Sequence, residues 1–192
     1  VIYFMKFLKF NISNEKFMSI KSKIRTIENY PIEGVMFRDI TTLLKDPEGL
    51  RDSINKLVDR YKDLHIDKIV AIESRGFIIG APLAYLLNAG LVLIRKPGKL
   101  PSETINQDYK LEYGADSIEI HVDAIEKNER VLIVDDLIAT GGTAEASVKL
   151  VQKMKGEIVE CCFIIDLPDI GGRARLEDMG QKVFTLCEFE GE

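Results

Sequence analysis

Four short, largely aliphatic runs constrain this chain most: residues 68–72 (KIVAI), 91–94 (LVLI), 131–134 (VLIV) and 158–165 (IVECCFII). A strand wetted on one face alternates apolar and polar residues. Near-continuous runs of this length suit strands covered on both faces, as in a parallel sheet flanked by helices. Helical spacing recurs between the runs, at 77–88 and 142–155, and an earlier helix at 47–62 carries Leu50, Ile54, Leu57, Val58 and Tyr61 on one face. Strands alternating with helices imply an α/β fold built on a doubly wound, mainly parallel sheet. A chain of 192 residues with 46% hydrophobic content fits one such domain, expected over 21–192.

Outside this frame the signals are more varied. Phe17, Ile20, Ile24 and Ile27 are spaced as on a helix, which predicts one over 14–29, ended by Tyr30-Pro31 and Gly34. Residues 1–20 read as a peripheral extension. Its opening VIYFMKFLKF is interrupted by Lys6 and Lys9 and is followed by no small-residue cleavage site, and helical, membrane-surface and disordered readings all fit it. Residues 96–121 are polar and punctuated by Pro97, Gly98, Pro101 and Gly114, the pattern of a flexible loop or hairpin that could act as a lid. PDIGGRAR (168–175) reads as a surface turn. The three cysteines include the adjacent pair Cys161 and Cys162 in an apolar stretch, with neither metal spacing nor a disulfide framework, so reduced thiols in a cytoplasmic protein are expected. No apolar run approaches the roughly 20 residues of a membrane span. A net charge of −5 argues against nucleic acid as the main partner and for a small ligand with positive charge held locally.

In open α/β sheets ligands bind at the carboxyl ends of the strands. Charged residues and glycines gather there: Glu73-Ser74-Arg75-Gly76, Arg95-Lys96-Pro97-Gly98-Lys99, and Asp135-Asp136 with ATGGT beyond (Ala139, Thr140, Gly141, Gly142, Thr143). ATGGT joins a strand to a helix, so successive backbone N–H groups, two hydroxyls and the positive end of the helix dipole converge as on a phosphate monoester. The P-loop and G-x-G-x-x-G motifs are both missing. Asp135 and Asp136 need partners if buried, and either vicinal ribose hydroxyls or a hydrated divalent cation would serve. Together with the phosphate cradle they have the spacing of a ribose 5-phosphate site.

VLIVDDLIATGGT (131–143) resembles the phosphoribosyl pyrophosphate signature of the type I phosphoribosyltransferases. YPIEGVMFRDIT (30–42), ESRGF (73–77), IRKPGKLP (94–101) and YKLEYG (109–114) resemble the adenine phosphoribosyltransferases among them. The resemblance implies that family's sheet, with a mobile hairpin and a small N-terminal hood. It also implies transfer of the 5-phosphoribosyl group to adenine with Mg²⁺, giving AMP and pyrophosphate, in a homodimer. The metal would be held mainly by phosphoribosyl pyrophosphate and water, with no direct protein ligand. Another base (hypoxanthine, guanine, xanthine or orotate) is the nearer rival; a purine-sensing regulator on the same fold would need a DNA-binding module, which an acidic chain does not supply.

The same resemblance implies roles. Ser74, Arg75, Arg95, Lys96 and Lys99 would meet the pyrophosphate, the Glu73–Ser74 peptide would be cis, and Arg95 would reach the neighbouring subunit's site. Phe37 would stack on adenine, with Val35 and Arg75 around its edge, a backbone carbonyl at Val35 meeting the exocyclic amine. Glu112 would act as general acid/base, with Tyr109 and Tyr113 as lid residues excluding water.

Overall fold

The computed structural model describes residues 19–110 and 114–191. A 3₁₀ turn at Ile20–Lys23 leads into β1 (Arg25–Glu28), β2 (Met36–Asp39), α1 (Thr41–Leu44), α2 (Pro47–Tyr61), β3 (Lys68–Ile72), α3 (Arg75–Leu87) and β4 (Gly90–Ile94). There follow β5 (Thr104–Lys110), β6 (Ala115–His121), β7 (Arg130–Ile138), α4 (Gly142–Lys153), β8 (Glu157–Asp166), a 3₁₀ turn at Pro168–Ile170, α5 (Gly172–Asp178) and β9 (Val183–Glu188).

The aliphatic runs pair as a five-stranded parallel sheet in the order β4-β3-β7-β8-β9. Strand alternation divides its side chains between two cores. Ile69, Leu132, Val134, Cys162 and Ile164 face Ile54, Leu57 and Tyr61 of α2 and Ile79 and Leu83 of α3. Val70, Ile72, Ile133, Cys161 and Phe163 face Val148 and Val151 of α4, Leu176 of α5, and Ile118 and Ile120 of β6. Cys161 and Cys162 therefore point to opposite faces. Both are unbonded, and burial pushes both thiols up to about 12.

The sequence expectations differ from the fold in three places. The helix expected over 14–29 is, within the described residues, a 3₁₀ turn followed by β1, which pairs antiparallel with β2 (Ile27↔Phe37). The apolar spacing there records burial of Ile20 and Ile24 against the body, while ladder bonds to a partner ten residues later set the backbone. β7 runs four residues past its aliphatic stretch, so Asp135 lies on the ladder opposite Phe163 of β8. PDIGGRAR is the second 3₁₀ turn and the start of α5, whose Gly172 and Leu176 are buried.

α2 is tied to the sheet by a buried carboxylate. Arg60 donates to both oxygens of Glu160 at 2.7 Å, Tyr61 Oη donates to Oε2 at 2.6 Å, and the guanidinium lies 3.9 Å from the centre of the Phe184 ring. Burial alone would raise the Glu160 carboxyl, but Arg60 and Tyr61 outweigh it and hold it below the ordinary glutamate range. Glu160→Gln keeps the shape and loses the charge-assisted bonds. It is expected to cost about 1–2 kcal/mol, seen as a fall in Tm of roughly 2–8 °C.

Candidate functional site

The direction in which strands are added to the sheet reverses between β3 and β7, which run parallel. From β3 the chain passes through α3 to β4 on one side, and the later strands extend from the other, which makes the β3/β7 carboxyl end the switch point where such sheets bind ligands. Ala71 pairs with Val134, so Asp135 and Asp136 stand level with the end of β3 and the start of α3. Gly76, in the first turn of α3, lies against them: a Cβ there would come within 2.9 Å of Val134 O and 3.0 Å of Asp135 Oδ1. Only glycine lets the helix come this close.

Asp136 is 3% exposed and its Oδ2 forms an ion pair with Arg75 Nε at 2.7 Å, while its own N–H donates to Asp135 Oδ1 at 2.8 Å. Burial raises both carboxyls. Asp135 is raised well above the ordinary aspartate value because the Asp136 charge adds to burial, whereas Arg75 offsets part of the effect at Asp136. Two acids with one cation between them form a pair short of partners, suited to a ligand that donates two hydroxyls.

β7 ends at Ile138, and the chain turns through Ala139–Gly141 into α4. Gly141 caps the helix at φ 75°, a left-handed conformation that favours glycine. The N–H groups of an α-helix's first turn have no intrahelical acceptors, and the dipole leaves positive charge there. The ATGGT loop thus meets the requirements of an anion cradle beside the two acids.

Glu73 organises the next strand end. Its Oε2 accepts Arg95 Nε at 3.0 Å and the Lys96 N–H at 2.9 Å, and the Glu73–Ser74 peptide is cis, as expected. Burial raises the Glu73 carboxyl, but Lys96 N–H and Arg95 outweigh it and leave it lowered. Ser74 and Lys99 are exposed at this edge. Lys96 turns toward the β5–β6 hairpin: its Nζ donates to Tyr109 Oη at 2.9 Å and pairs with Asp116 Oδ2, which also accepts Tyr109 Oη at 3.1 Å.

Phe37 lies on β2 of the separate β1–β2 ribbon, and Val35 immediately precedes that strand. Phe37 is half-buried and meets the Tyr30 ring edge-on at 5.2 Å, and the Val35 carbonyl accepts the Tyr30 N–H at 3.2 Å. Glu112 and Tyr113 lie outside the described residues. Of the residues the sequence singled out, then, Asp135, Asp136 and Arg75 converge beside 139–143, Arg95 and Lys96 meet at Glu73, and Tyr109 joins Lys96. Sequence reasoning missed Glu73 as an organiser and Arg175, whose Nη1 donates to Thr140 O at 2.9 Å. The signal for Glu73 was a carboxylate opening the same ESRG stretch.

Residues 39–188 match the family described as phosphoribosyl transferase domain. A Nitrosospira multiformis protein named adenine phosphoribosyltransferase is 70% identical over 174 residues, 91% of this chain and 99% of that one. Another of that name from Desulfosudis oleivorans is 59% identical over 175 residues, 91% and 100% of the two chains. The crystal structure of adenine phosphoribosyltransferase from Thermoanaerobacter pseudethanolicus matches with a TM-score of 0.84 at 47% identity, covering 88% of this chain and 98% of that one. The Saccharomyces cerevisiae enzyme, complexed with adenine and an imino-altritol bisphosphate, matches at 0.81 and 38% identity, covering 88% and 96%.

Proposed function

From the premise that the chain belongs to the phosphoribosyltransferase family, among its adenine phosphoribosyltransferases, we propose how its own residues carry the reaction. The protein transfers the 5-phosphoribosyl group of phosphoribosyl pyrophosphate to adenine, giving AMP and pyrophosphate.

Asp135 and Asp136 accept the two ribose hydroxyls, and residues 139–143 hold the 5′-phosphate. One observation carries this reading: a half-buried and a buried acid side by side, with Arg75 offsetting part of their charge, at the β3/β7 switch point beside the glycine-capped start of α4. C1′ gains oxocarbenium character as its bond to pyrophosphate breaks. Ser74, Arg75, Arg95, Lys96 and Lys99 take up the charge of the leaving group. Lys96 reaches it by leaving Asp116 and the Tyr109 hydroxyl, so pyrophosphate binding is coupled to the hairpin.

Phe37 stacks on adenine. A carbonyl oxygen has two lone pairs, so Val35 O can accept the exocyclic amine while keeping its bond from Tyr30, and a 6-oxo purine would oppose it with a second acceptor. Arg75 lines the base on its other side. Glu112 takes the proton that the purine loses, while Tyr109 and Tyr113 exclude water that would hydrolyse the substrate.

Mg²⁺ is the proposed cofactor. Among the described residues no three His, Cys, Asp or Glu converge, and one of the two paired acids is already engaged by Arg75. Such a donor set fits a cation that keeps its water and rides on the substrate. When bound it would neutralise charge on the departing pyrophosphate. A homodimer is proposed on the exposed apolar side chains of α3 and β4, Ile78, Tyr85, Leu86 and Leu91, with Arg95 next along the chain; light scattering of the purified protein tests it. Among the described residues no helix is long and apolar enough to cross a membrane. A cytoplasmic location is proposed from the three unbonded thiols.

The deciding experiment incubates the protein with phosphoribosyl pyrophosphate, Mg²⁺ and each nucleobase. AMP from adenine is the expected product. Absence of AMP would refute the reading, and IMP or GMP formed in its place would select the other-base rival.

A further inference from the structure

A phosphate cradle made of backbone amides works only if the loop is held in shape before the ligand arrives. Along the chain, residues 139–143 are braced by β7 on one side and α4 on the other. From behind, the brace is α5.

Gly172 packs directly on the loop. A Cβ at this position would lie 2.2 Å from Ala139 O, 2.7 Å from Gly141 N and 2.9 Å from Ile138 Cγ1, so the helix backbone itself forms the wall. Arg173 anchors that wall to the sheet: Nε donates to the fully buried Asp166 at 2.6 Å, and Nη2 donates to Thr185 Oγ1 at 2.8 Å and Glu188 Oε1 at 3.1 Å. Two residues on, Arg175 points the other way. Its Nη1 donates to Thr140 O at 2.9 Å, and its Nε pairs with Glu145 Oε2 at 3.2 Å in the first turn of α4. One guanidinium therefore spans the loop and the helix that follows it.

The Thr140 carbonyl and the Gly141 N–H belong to one planar trans peptide, in which C=O and N–H point in opposite directions. A hydrogen bond fixing the carbonyl thereby fixes the direction of the amide. A pair whose guanidinium is exposed contributes little to stability, so the effect of this contact should appear in ligand capture and not in the melting temperature. We propose that Arg175 is a positioning residue for the phosphate loop, setting the capture of phosphoribosyl pyrophosphate without touching it. The proposal rests on the reading of 139–143 as the 5′-phosphate cradle.

Steady-state kinetics of the full chain test both. Arg175→Met keeps the aliphatic stem and removes the donors; KM for phosphoribosyl pyrophosphate should rise about tenfold, with kcat, KM for adenine and Tm nearly unchanged. Arg175→Lys, which keeps one donor for the Thr140 carbonyl and serves alone if the Met variant does not fold, should hold that rise to about threefold. Thr140→Ala, run alongside, removes a hydroxyl of the cradle itself and should also raise this KM. If Thr140→Ala raises it and Arg175→Met does not, the positioning role is wrong and the cradle stands. If neither does, the cradle reading falls and the proposal with it. Parallel losses in both KM values, a drop in Tm that accounts for the change, or a Lys variant with no recovery would each overturn the proposal.

Discussion

Replacing Glu112 with alanine should lower kcat by about a hundredfold or more while leaving both KM values within a few-fold. The residue falls in sequence between Lys110 and Ala115, the last pair of the β5–β6 ladder. The hairpin is tied to the end of β4 at two levels. Arg95 and Glu119 exchange backbone hydrogen bonds at 3.0 and 2.8 Å, and Lys96 binds both Tyr109 and Asp116. Glu112 is the residue proposed to take the purine proton, and a general acid/base acts in the transition state. Since the proton moves in the transition state, the loss should fall on turnover. A pH–rate profile of kcat should lose one limb in Glu112→Ala. Near-normal turnover in that variant would remove Glu112 from the acid/base role.

Changing Asp135 and Asp136 together to asparagine should weaken phosphoribosyl pyrophosphate capture by about a hundredfold, measured as KM or by calorimetry, with adenine binding little changed. Each amide oxygen is a weaker acceptor than a carboxylate, and Arg75 loses its counter-charge. The wild type should also lose affinity for this substrate as pH falls. Because both carboxyls are raised, that loss begins at a higher pH than an ordinary aspartate would give, and the double variant should lack it. Stability moves the other way at Asp135. A carboxyl whose folded pKa exceeds its unfolded value of 3.8 favours the fold below that value, and the benefit is lost as pH rises through the folded pKa. Asp135→Asn alone should therefore raise Tm at neutral pH, with the gain disappearing below about pH 3.8. Unchanged substrate affinity in the double variant would contradict the ribose assignment.

What could be read from the sequence depended on whether its cause was local. β3 was bounded correctly at 68–72 because a strand covered on both faces must be apolar throughout. The end of β7 was missed for the converse reason: Asp135 and Asp136 break the apolar run, yet their backbone still pairs with β8. β1 was mistaken for part of a helix, since spacing along a chain carries no information about a ladder partner ten residues on. At the site, Asp135, Asp136 and 139–143 stood out because the chemistry lies in consecutive residues. Arg175 did not, because its partner Thr140 is 35 positions away and GGR reads locally as a turn. The pairing of Lys96 with the hairpin was likewise invisible, since a lysine at a strand end gives no sign of which acid it will find.

The ladder position of Asp135 bears on what the enzyme can tolerate. Its backbone is held on a rung shared with Phe163, so under the ribose assignment proposed above it has little freedom to follow a differently shaped sugar without distorting the centre of the sheet. The aromatic face proposed for the base belongs to a two-stranded ribbon with far less holding it. Altered pentoses should thus be rejected more sharply than altered purines, and a programme of laboratory evolution would find new base preferences within easy reach while sugar preference stayed fixed.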